Sequence, residues 1–364
     1  MSRDMRHGPC ICAAGRIGET EIGRRRFLAL GAGAALLPAA ASTLPGAVDQ
    51  SKMRERINPD APLEDNLIAN YLKPKRLSIA VGPERPFTAL HFSDSHISMA
   101  DPADILWGNS RMLSLYELRN NGPCGKGGFQ FAVQSLAATI AYARRKNLHL
   151  LNTGDIMDFR SEANIDCISR SLKGLDIFSA LGNHEGRGHH SRELNPQSKA
   201  DDDALRARFE QALGNPLLVA SRVINGVKFV AFDNCGLARH YRAEQFERIK
   251  AEFEEGLPSV LMCHMPPFSP ALHEAKCEMH RQRGRSLPAA DNLNAYYMMD
   301  APFGKSGASS DMKRLLGFLR RRKNLKAILC GHLHFEWSGT FGDGVPVHVA
   351  GRGFNGECYE ISFV

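Results

Sequence analysis

The sequence predicts an α/β fold, because two patterns alternate along most of the chain. From residue 87 onward, short and nearly continuous apolar segments alternate with longer segments of helical periodicity. This alternation is typical of layered α/β domains, and strands that are apolar on both faces indicate a sheet covered on both sides. Hydrophobic residues make up 43% of the chain and charged residues 23%, which is enough for an ordinary globular core.

The individual elements follow from these patterns. Apolar segments predict strands over 87–92, 148–152, 176–180, 227–232, 259–263, 326–330, 345–350 and 358–363. Helical spacing predicts helices over about 130–146, 202–213, 243–255 and 311–323. Two stretches, 99–128 and 265–308, show neither pattern and are predicted to be loop insertions. Loops of this length are commonly functional, so we expect them to cover a site.

The N-terminal segment has the features of a secretory signal. The basic segment Gly23-Arg24-Arg25-Arg26-Phe27-Leu28 precedes a Gly- and Ala-rich segment that ends in Ala39-Ala40-Ala41. Paired arginines followed by x-Phe-Leu resemble the signal that the bacterial twin-arginine export machinery reads. We therefore expect an exported protein in the periplasm or on the cell-surface side. A short N-terminal anchor in the inner membrane is the alternative.

The domain organisation follows from these segments. The sequence predicts a signal peptide over 1–41, a polar linker over 42–75 and a single domain over 76–364 that carries the two insertions. No stretch of about 20 apolar residues occurs in that domain, which excludes a multi-pass membrane protein.

Five short polar motifs each follow one of the predicted strands. They are Ser93-Asp94-Ser95-His96, Gly154-Asp155-Ile156-Met157-Asp158, Gly182-Asn183-His184-Glu185, Cys263-His264-Met265-Pro266 and Gly331-His332-Leu333-His334. Because α/β sheets place ligands at the carboxyl ends of their strands, these motifs are expected to form one site. Asp and Asn oxygens together with His nitrogens are ligands of borderline divalent cations such as Mn, Fe and Zn. Without cations, several buried carboxylates would repel one another.

In this order, the five motifs resemble the pattern of the calcineurin-like metallophosphoesterases across residues 85–355. The resemblance implies a two-sheet sandwich flanked by helices and a metal-dependent hydrolase of phosphoric esters. It also implies two metal ions whose identity is open among Mn, Fe and Zn, with a hydroxide that bridges them as the nucleophile. It divides seven ligands between the ions: Asp94, His96 and His334 for the first, Asn183, His264 and His332 for the second, and Asp155 for both.

The resemblance also implies residues that act beside the metals. His184 is expected to lie next to the substrate phosphate and to stabilise the transition state or protonate the leaving oxygen. Glu185 is expected to orient His184 as an outer partner. Asp158 is expected to be a structural hydrogen-bond acceptor rather than a ligand.

The substrate is expected to be a small phosphate ester, either a diester or a monoester. A nuclease is an alternative, but the net charge of +7 includes six arginines and three acidic residues of segment 1–41, so the remainder carries only +4. This mild charge predicts no stable nucleic-acid complex. A binding scaffold that has lost catalysis is a second alternative. It is disfavoured because such proteins lack metal ligands, whereas this sequence has the full set.

Overall fold

The computed structural model describes residues 63–120, 131–185, 198–235, 243–282, 298–299 and 310–364. All of them belong to one compact unit, Leu44–Val364. The helices are α1 Leu63–Tyr71, α2 Pro102–Trp107, α3 Ser110–Asn120, α4 Ala132–Lys146, α5 Glu162–Leu172, α6 Ser198–Leu213, α7 Ala243–Glu254, α8 Pro270–Gln282 and α9 Ser310–Arg320. The predicted export signal lies outside the described residues.

The strands form two mixed sheets. They are β1 Lys73–Ile79, β2 Phe87–Phe92, β3 His149–Asn152, β4 Ile177–Ser179, β5 Val219–Ile224, β6 Val227–Phe232, β7 Ser259–Met262, β8 Leu325–Cys330, β9 Trp337–Phe341, β10 Val345–Val349 and β11 Glu357–Phe363. The first sheet has the order β1-β11-β2-β3-β4, and the second has the order β5-β6-β7-β8-β10-β9. In the first sheet β2, β3 and β4 are parallel, and in the second β6, β7, β8 and β10 are parallel.

Three apolar layers hold the sheets and helices together. In β3, Leu151 points into the layer between the sheets, whereas Leu150 points to the helices outside the first sheet. In β6, Phe229 belongs to the central layer and Val230 to the layer beneath the outer helices of the second sheet. Successive strand residues face opposite sides of a sheet, which explains why neighbouring residues in these strands are both apolar. The prediction of a two-sheet sandwich flanked by helices is confirmed.

The predicted linker is wrong over residues 63–75. Leu63–Tyr71 forms α1, which packs on α4, and Lys73–Ile79 forms β1, which pairs in parallel with β11. The sequence pattern did not predict β1, because β1 is an edge strand. Its first four residues, Lys-Pro-Lys-Arg, are exposed, and Lys and Pro are residues that protect sheet edges from further pairing.

The two insertions contain more regular structure than predicted. Helices α2 and α3 lie within 99–128, and α8 lies within 265–308. Strands β5 and β9 and helix α5 were also not predicted. In β5 and β9 the apolar residues are few or alternate with polar ones, since these are the two edge strands of the second sheet. Helix α5 does carry buried apolar residues at helical spacing, Ile165, Ile168 and Leu172. Among the described residues, no helix is both long enough and apolar enough to cross a membrane.

Strand ends from both sheets meet at one edge of the sandwich. The backbone N–H of Asp94 donates to Gly154 O at 2.9 Å, and that of His96 donates to Asp155 O at 2.9 Å, which ties the loops after β2 and β3 together. In the second sheet, Gly331 N donates to His264 O at 3.0 Å and ties the loops after β7 and β8. These bonds fix the backbone that carries the predicted ligands.

Candidate metal centre

The loops that carry the predicted ligands turn through left-handed backbone conformations. Seven non-glycine residues have positive φ in the described part of the chain, and five of them are predicted ligands. These five are Asp94 (57°), His96 (47°), Asp155 (52°), His332 (72°) and His334 (56°). Such conformations cost free energy in residues that carry a side chain, and they cluster at functional sites. Here they turn each side chain back toward the centre directly after its strand.

Asp94 and Asp155 are held in the same way. Asp94 Oδ2 accepts the backbone N–H of His332 at 2.8 Å, and Asp155 Oδ1 accepts the backbone N–H of His184 at 2.8 Å. The second oxygen of each carboxylate therefore faces the histidine side chains. Both carboxylates are buried, and one oxygen of each is fixed by a backbone N–H group.

Asp94, His96 and His334 form the first group of potential ligands. His334 Nε2 lies 3.2 Å from Asp94 Oδ1, and His96 Nε2 lies 3.6 Å from the same oxygen. The two imidazole nitrogens are 2.9 Å apart. Two nitrogens and an oxygen that converge in this way can share one cation.

Asp155, His264 and His332 form the second group. His264 Nε2 lies 3.1 Å from Asp155 Oδ2 and 3.0 Å from His332 Nδ1. The other nitrogen of His264, Nδ1, is 2.7 Å from Thr153 O, which fixes the ring with Nε2 toward the centre. Asp155 Oδ2 also lies 3.7 Å from His96 Nε2 in the first group, so this one carboxylate oxygen stands between the two groups.

The donor atoms fit a pair of metal ions. Asp94 Oδ1 and Asn183 Oδ1 are buried and have no hydrogen-bond partner among the described residues. Buried polar atoms are normally partnered, so two such oxygens in this cluster point to an ion as the missing partner. The two residues that flank Asn183 are fixed by hydrogen bonds. The backbone N–H of Gly182 donates to the Glu185 carboxylate, and that of His184 donates to the Asp155 carboxylate. The set combines oxygen and imidazole nitrogen, which suits Mn, Fe or Zn.

The buried carboxylates and histidines of the centre shift one another's pKa values. Burial opposes ionisation of Asp94, but His334 and His96 hold its pKa well below the usual range. Burial would lower the pKa of His96, but the charge and hydrogen bond of Asp158 raise it to about 10. Burial would likewise lower the pKa of His264, but Asp155 raises it to about 9. Metal-free protein therefore holds protons where cations would bind.

His184 and Asp158 form a pair beside the centre. His184 Nδ1 lies 3.0 Å from the backbone oxygen of Asp158 and 3.1 Å from its Oδ1. His184 Nε2 lies 3.8 Å from Asp155 Oδ2, and its side chain is 12% exposed. The prediction that Asp158 is a hydrogen-bond acceptor is confirmed, since Oδ1 also lies 2.8 Å from His96 Nδ1.

The orienting role predicted for Glu185 falls instead to Asp158. The Glu185 carboxylate accepts the backbone N–H groups of Asp155 at 3.0 Å, Ile156 at 2.5 Å and Gly182 at 2.8 Å. It therefore shapes the loop that carries Asp155. Burial and the negative charge of Asp155 raise the pKa of Glu185 to about 7. The sequence could not reveal this role, because Asp155 and Ile156, whose backbone N–H groups Glu185 binds, lie 30 and 29 residues earlier in the chain.

Arg119 was not predicted as part of the site. It comes from α3 in the first insertion, and its Nε donates to Asp158 Oδ2 at 2.8 Å. No pattern in the sequence pointed to it, because the insertion shows no clear periodicity and arginines are common on helix surfaces.

A cavity of about 540 Å³ lies between the start of β1, the start of β11 and the segment after His334. It is lined by Lys73, Pro74, Lys75, Phe335, Glu336, Arg352 and Glu357. Phe335 directly follows His334 in the chain. The start of β11 pairs with the start of β1 and lies beside the end of β2. The cavity is therefore at the sheet edge that carries the ligands.

A family model for calcineurin-like phosphoesterases matches residues 87–336, which span the fold from β2 to the segment after β8. The chain belongs to the calcineurin-like phosphoesterase family. It is a metal-dependent phosphoesterase, and members of this family depend on two metal ions. A comparison with curated protein sequences gives no match.

Solved structures of several phosphoesterases are similar to this calcineurin-like phosphoesterase. A dimetal phosphatase from Danio rerio is 13% identical with a TM-score of 0.43, and the alignment covers 75% of this chain and 89% of that one. A purple acid phosphatase from yellow lupin is 12% identical with a TM-score of 0.41, covering 75% and 45%. A phosphopantetheinyl hydrolase from Mycobacterium tuberculosis is 15% identical with a TM-score of 0.34, covering 73% and 90%. These values are too low to carry conclusions about the substrate.

Proposed function

We propose that this phosphoesterase hydrolyses small phosphoric esters, monoesters or diesters, with two metal ions held by seven side chains. The ligands are Asp94, His96 and His334 for one ion, Asn183, His264 and His332 for the other, and Asp155 for both. The observation that carries this proposal is the position of Asp155 Oδ2, which lies 3.1 Å from His264 Nε2 and 3.7 Å from His96 Nε2. When bound, the ions neutralise phosphate charge and lower the pKa of water that attacks phosphorus.

His184 is proposed to donate a proton to the leaving oxygen. Its Nδ1 is held by the backbone oxygen and the carboxylate of Asp158, so Nε2 faces the centre. With Nδ1 held in this way, the ring can donate a proton from Nε2 to the leaving oxygen as a general acid. The remaining side chains position charge, and no covalent bond between enzyme and substrate is required.

A substrate screen tests the reaction. Purified protein is loaded separately with Mn, Fe or Zn and assayed with p-nitrophenyl phosphate, bis-p-nitrophenyl phosphate and a panel of biological mono- and diesters. We expect turnover with at least one metal, and none for a His184→Ala variant with an ester of a poor leaving group. Absence of turnover across the panel, with two metals bound per chain, would contradict the proposal and favour a binding scaffold.

The cavity beside His334 is proposed to receive the leaving group of the ester. Its volume of about 540 Å³ lies within the range of small-molecule sites. Lys75 pairs with Glu336 at 3.3 Å, so Lys73 is the cation expected to favour leaving groups that carry a carboxylate or phosphate. We expect Lys73→Ala to raise KM for esters with such an anionic leaving group, but not for p-nitrophenyl phosphate. Lys313→Ala, on the exposed side of α9, is the matched control. Equal effects of the two variants would contradict this assignment.

The protein is proposed to be exported by the twin-arginine machinery. Support comes from the Arg24-Arg25 pair and from the segment that ends at Ala41. A fusion of residues 1–75 to a reporter should reach the periplasm of a bacterial host. Replacing Arg24 and Arg25 by Lys should retain it in the cytoplasm. Export of the double variant at the original level would contradict the proposal, and retention of the fusion in the inner membrane would favour an anchor.

A further inference from the structure

A cation from the first insertion contacts Asp158, the carboxylate that binds two histidines of the site. Arg119 Nε donates to Asp158 Oδ2 at 2.8 Å, and Arg119 Nη2 lies 3.4 Å from Asp158 Oδ1. The Arg119 side chain is only 14% exposed, and Asp158 is fully buried. A buried carboxylate that loses its cationic partner is strongly disfavoured, so Arg119 has a large influence on where this carboxylate sits.

The same carboxylate holds two histidines of the site. Asp158 Oδ1 lies 2.8 Å from His96 Nδ1 and 3.1 Å from His184 Nδ1. The His96 and His184 rings themselves are in edge contact, with centroids 4.6 Å apart. Arg119 occupies the Oδ2 side of Asp158, so the two oxygens are divided between one guanidinium and two imidazoles. A shift of the carboxylate would therefore turn both rings.

The insertion that carries Arg119 is firmly attached to the domain. The Asp104 carboxylate in α2 accepts the backbone N–H groups of Glu162 at 3.1 Å and Ala163 at 3.3 Å, at the start of α5. Met99 N donates to Asn164 Oδ1 at 2.9 Å, and Ser161 Oγ donates to Met99 O at 2.7 Å. These contacts attach residues 99–104 of the insertion to the start of α5, shortly after Asp158 in the chain.

We propose that Arg119 is a positioning residue that acts through Asp158 to orient both His96 and His184. The part of this inference that concerns His184 rests on the proposed function, whereas the part that concerns His96 rests only on metal binding. The first insertion then takes part in the centre, because its helix α3 supplies the guanidinium that fixes one metal ligand and the proton donor together.

The test uses Arg119→Gln, Arg119→Lys, Asp158→Asn and the Arg119→Gln/Asp158→Asn double variant of the full chain. Arg170→Gln, which removes an exposed arginine from α5, is the matched control. The affinity of metal-free protein for Mn is measured by calorimetric titration. The kinetic constants kcat and KM for p-nitrophenyl phosphate are measured after metal loading. The titration does not depend on turnover, so it decides the His96 part even if the ester is not a substrate.

We expect Arg119→Gln to lower kcat and the affinity for the first Mn by about 10–100-fold, the range known for outer partners of metal ligands, with little change in KM. Arg119→Lys keeps the charge but loses the planar fork, so it should restore part of both quantities. The double variant should be no worse than Asp158→Asn alone. Multiplied effects in the double variant, or an Arg119→Gln variant equal to Arg170→Gln, would overturn the proposal. If Arg119→Gln fails to fold, an Arg119→Lys variant with unchanged kcat and Mn affinity would also overturn it.

Discussion

At the scale of single residues, the backbone explains the geometry of the centre. Asp94, His96, Asp155, His332 and His334 all have positive φ. If the strand continued in extended conformation, Asp94 and His96 would lie on the same face of the sheet, about 6.6 Å apart along the strand. The left-handed turns instead bring His96 Nε2 to 3.6 Å from Asp94 Oδ1. These motifs were recognisable in the sequence because each follows an apolar strand directly.

Asp155→Asn tests the residue between the two ligand groups. The substitution keeps the shape of the side chain and removes the charge that the histidines surround. We expect hydrolysis to fall by more than about 100-fold, the upper end for outer partners of metal ligands, because a ligand contributes more than they do. Activity and metal content are measured, and the far-UV circular dichroism should be unchanged. Asp343→Asn, at an exposed turn, is the control. Substantial activity in Asp155→Asn would contradict the bridging role.

Metal binding should release protons near neutral pH. The pKa values of His96, about 10, and His264, about 9, lie above neutrality in metal-free protein, whereas a histidine ligand must be neutral. Lowering the pH therefore strengthens the competing protons, and affinity should fall by up to about tenfold per pH unit for each proton released. Calorimetry in buffers of different ionisation enthalpy measures the protons. Equal heats in all buffers between pH 6 and 8 would contradict this expectation.

At the scale of elements, close contacts between loops position the ligands. A Cβ at Gly331, after β8, would lie 2.6 Å from both Asp94 Oδ2 and Ser93 Cβ, which belong to the loop after β2. The two sheets approach so closely here that only glycine fits. The sequence indicated a turn at Gly331 but could not show that its neighbour would come from a strand more than 200 residues earlier.

Gly331→Ala should therefore displace metal ligands, although Gly331 is not itself a ligand. Relief of the clash must move Asp94 or the end of β8, and overpacking of this kind costs about 1–3 kcal/mol. We expect a lower unfolding midpoint together with weaker metal binding. Gly317→Ala, in α9, is the matched control, because its Cβ would meet nothing closer than Arg321 Nη1 at 3.7 Å. A Gly331→Ala variant that binds metal as tightly as Gly317→Ala would contradict the packing argument.

At the scale of the whole molecule, the sequence predicted the central strands of the sandwich but not the edge strands β1, β5 and β9. Strands that are buried on both faces of the sheet, such as Val227–Phe232, are apolar at nearly every position and could be predicted from that pattern. Edge strands β1, β5 and β9 have an exposed side and therefore lack that pattern. Arg119 could not be predicted for a different reason: its importance depends on the approach of α3 to Asp158, a contact that no local pattern records.

Histidines that are buried in the neutral form predict that acid lowers the stability of the whole fold. Burial lowers the pKa of His348 to about 4, whereas a histidine in an unfolded chain has a pKa of about 6.5. The unfolded state therefore takes up this proton first, and stability is lost as the pH falls from about 6.5 to about 4. The loss from this residue is roughly 3 kcal/mol. His348→Gln should reduce the slope of unfolding free energy against pH in this window, measured by urea denaturation of metal-free protein. An unchanged slope would contradict the assignment of this loss of stability to His348.

The central claim is that seven side chains from both sheets share two cations. The most direct measurement is the metal content of the purified protein after saturation with Mn or Zn and removal of unbound metal, determined by mass spectrometry and compared with Asp155→Asn. The account predicts two ions per chain in the wild-type protein and a loss of bound metal in the variant. A reproducible stoichiometry of one in the wild-type protein, unchanged in Asp155→Asn, would contradict it.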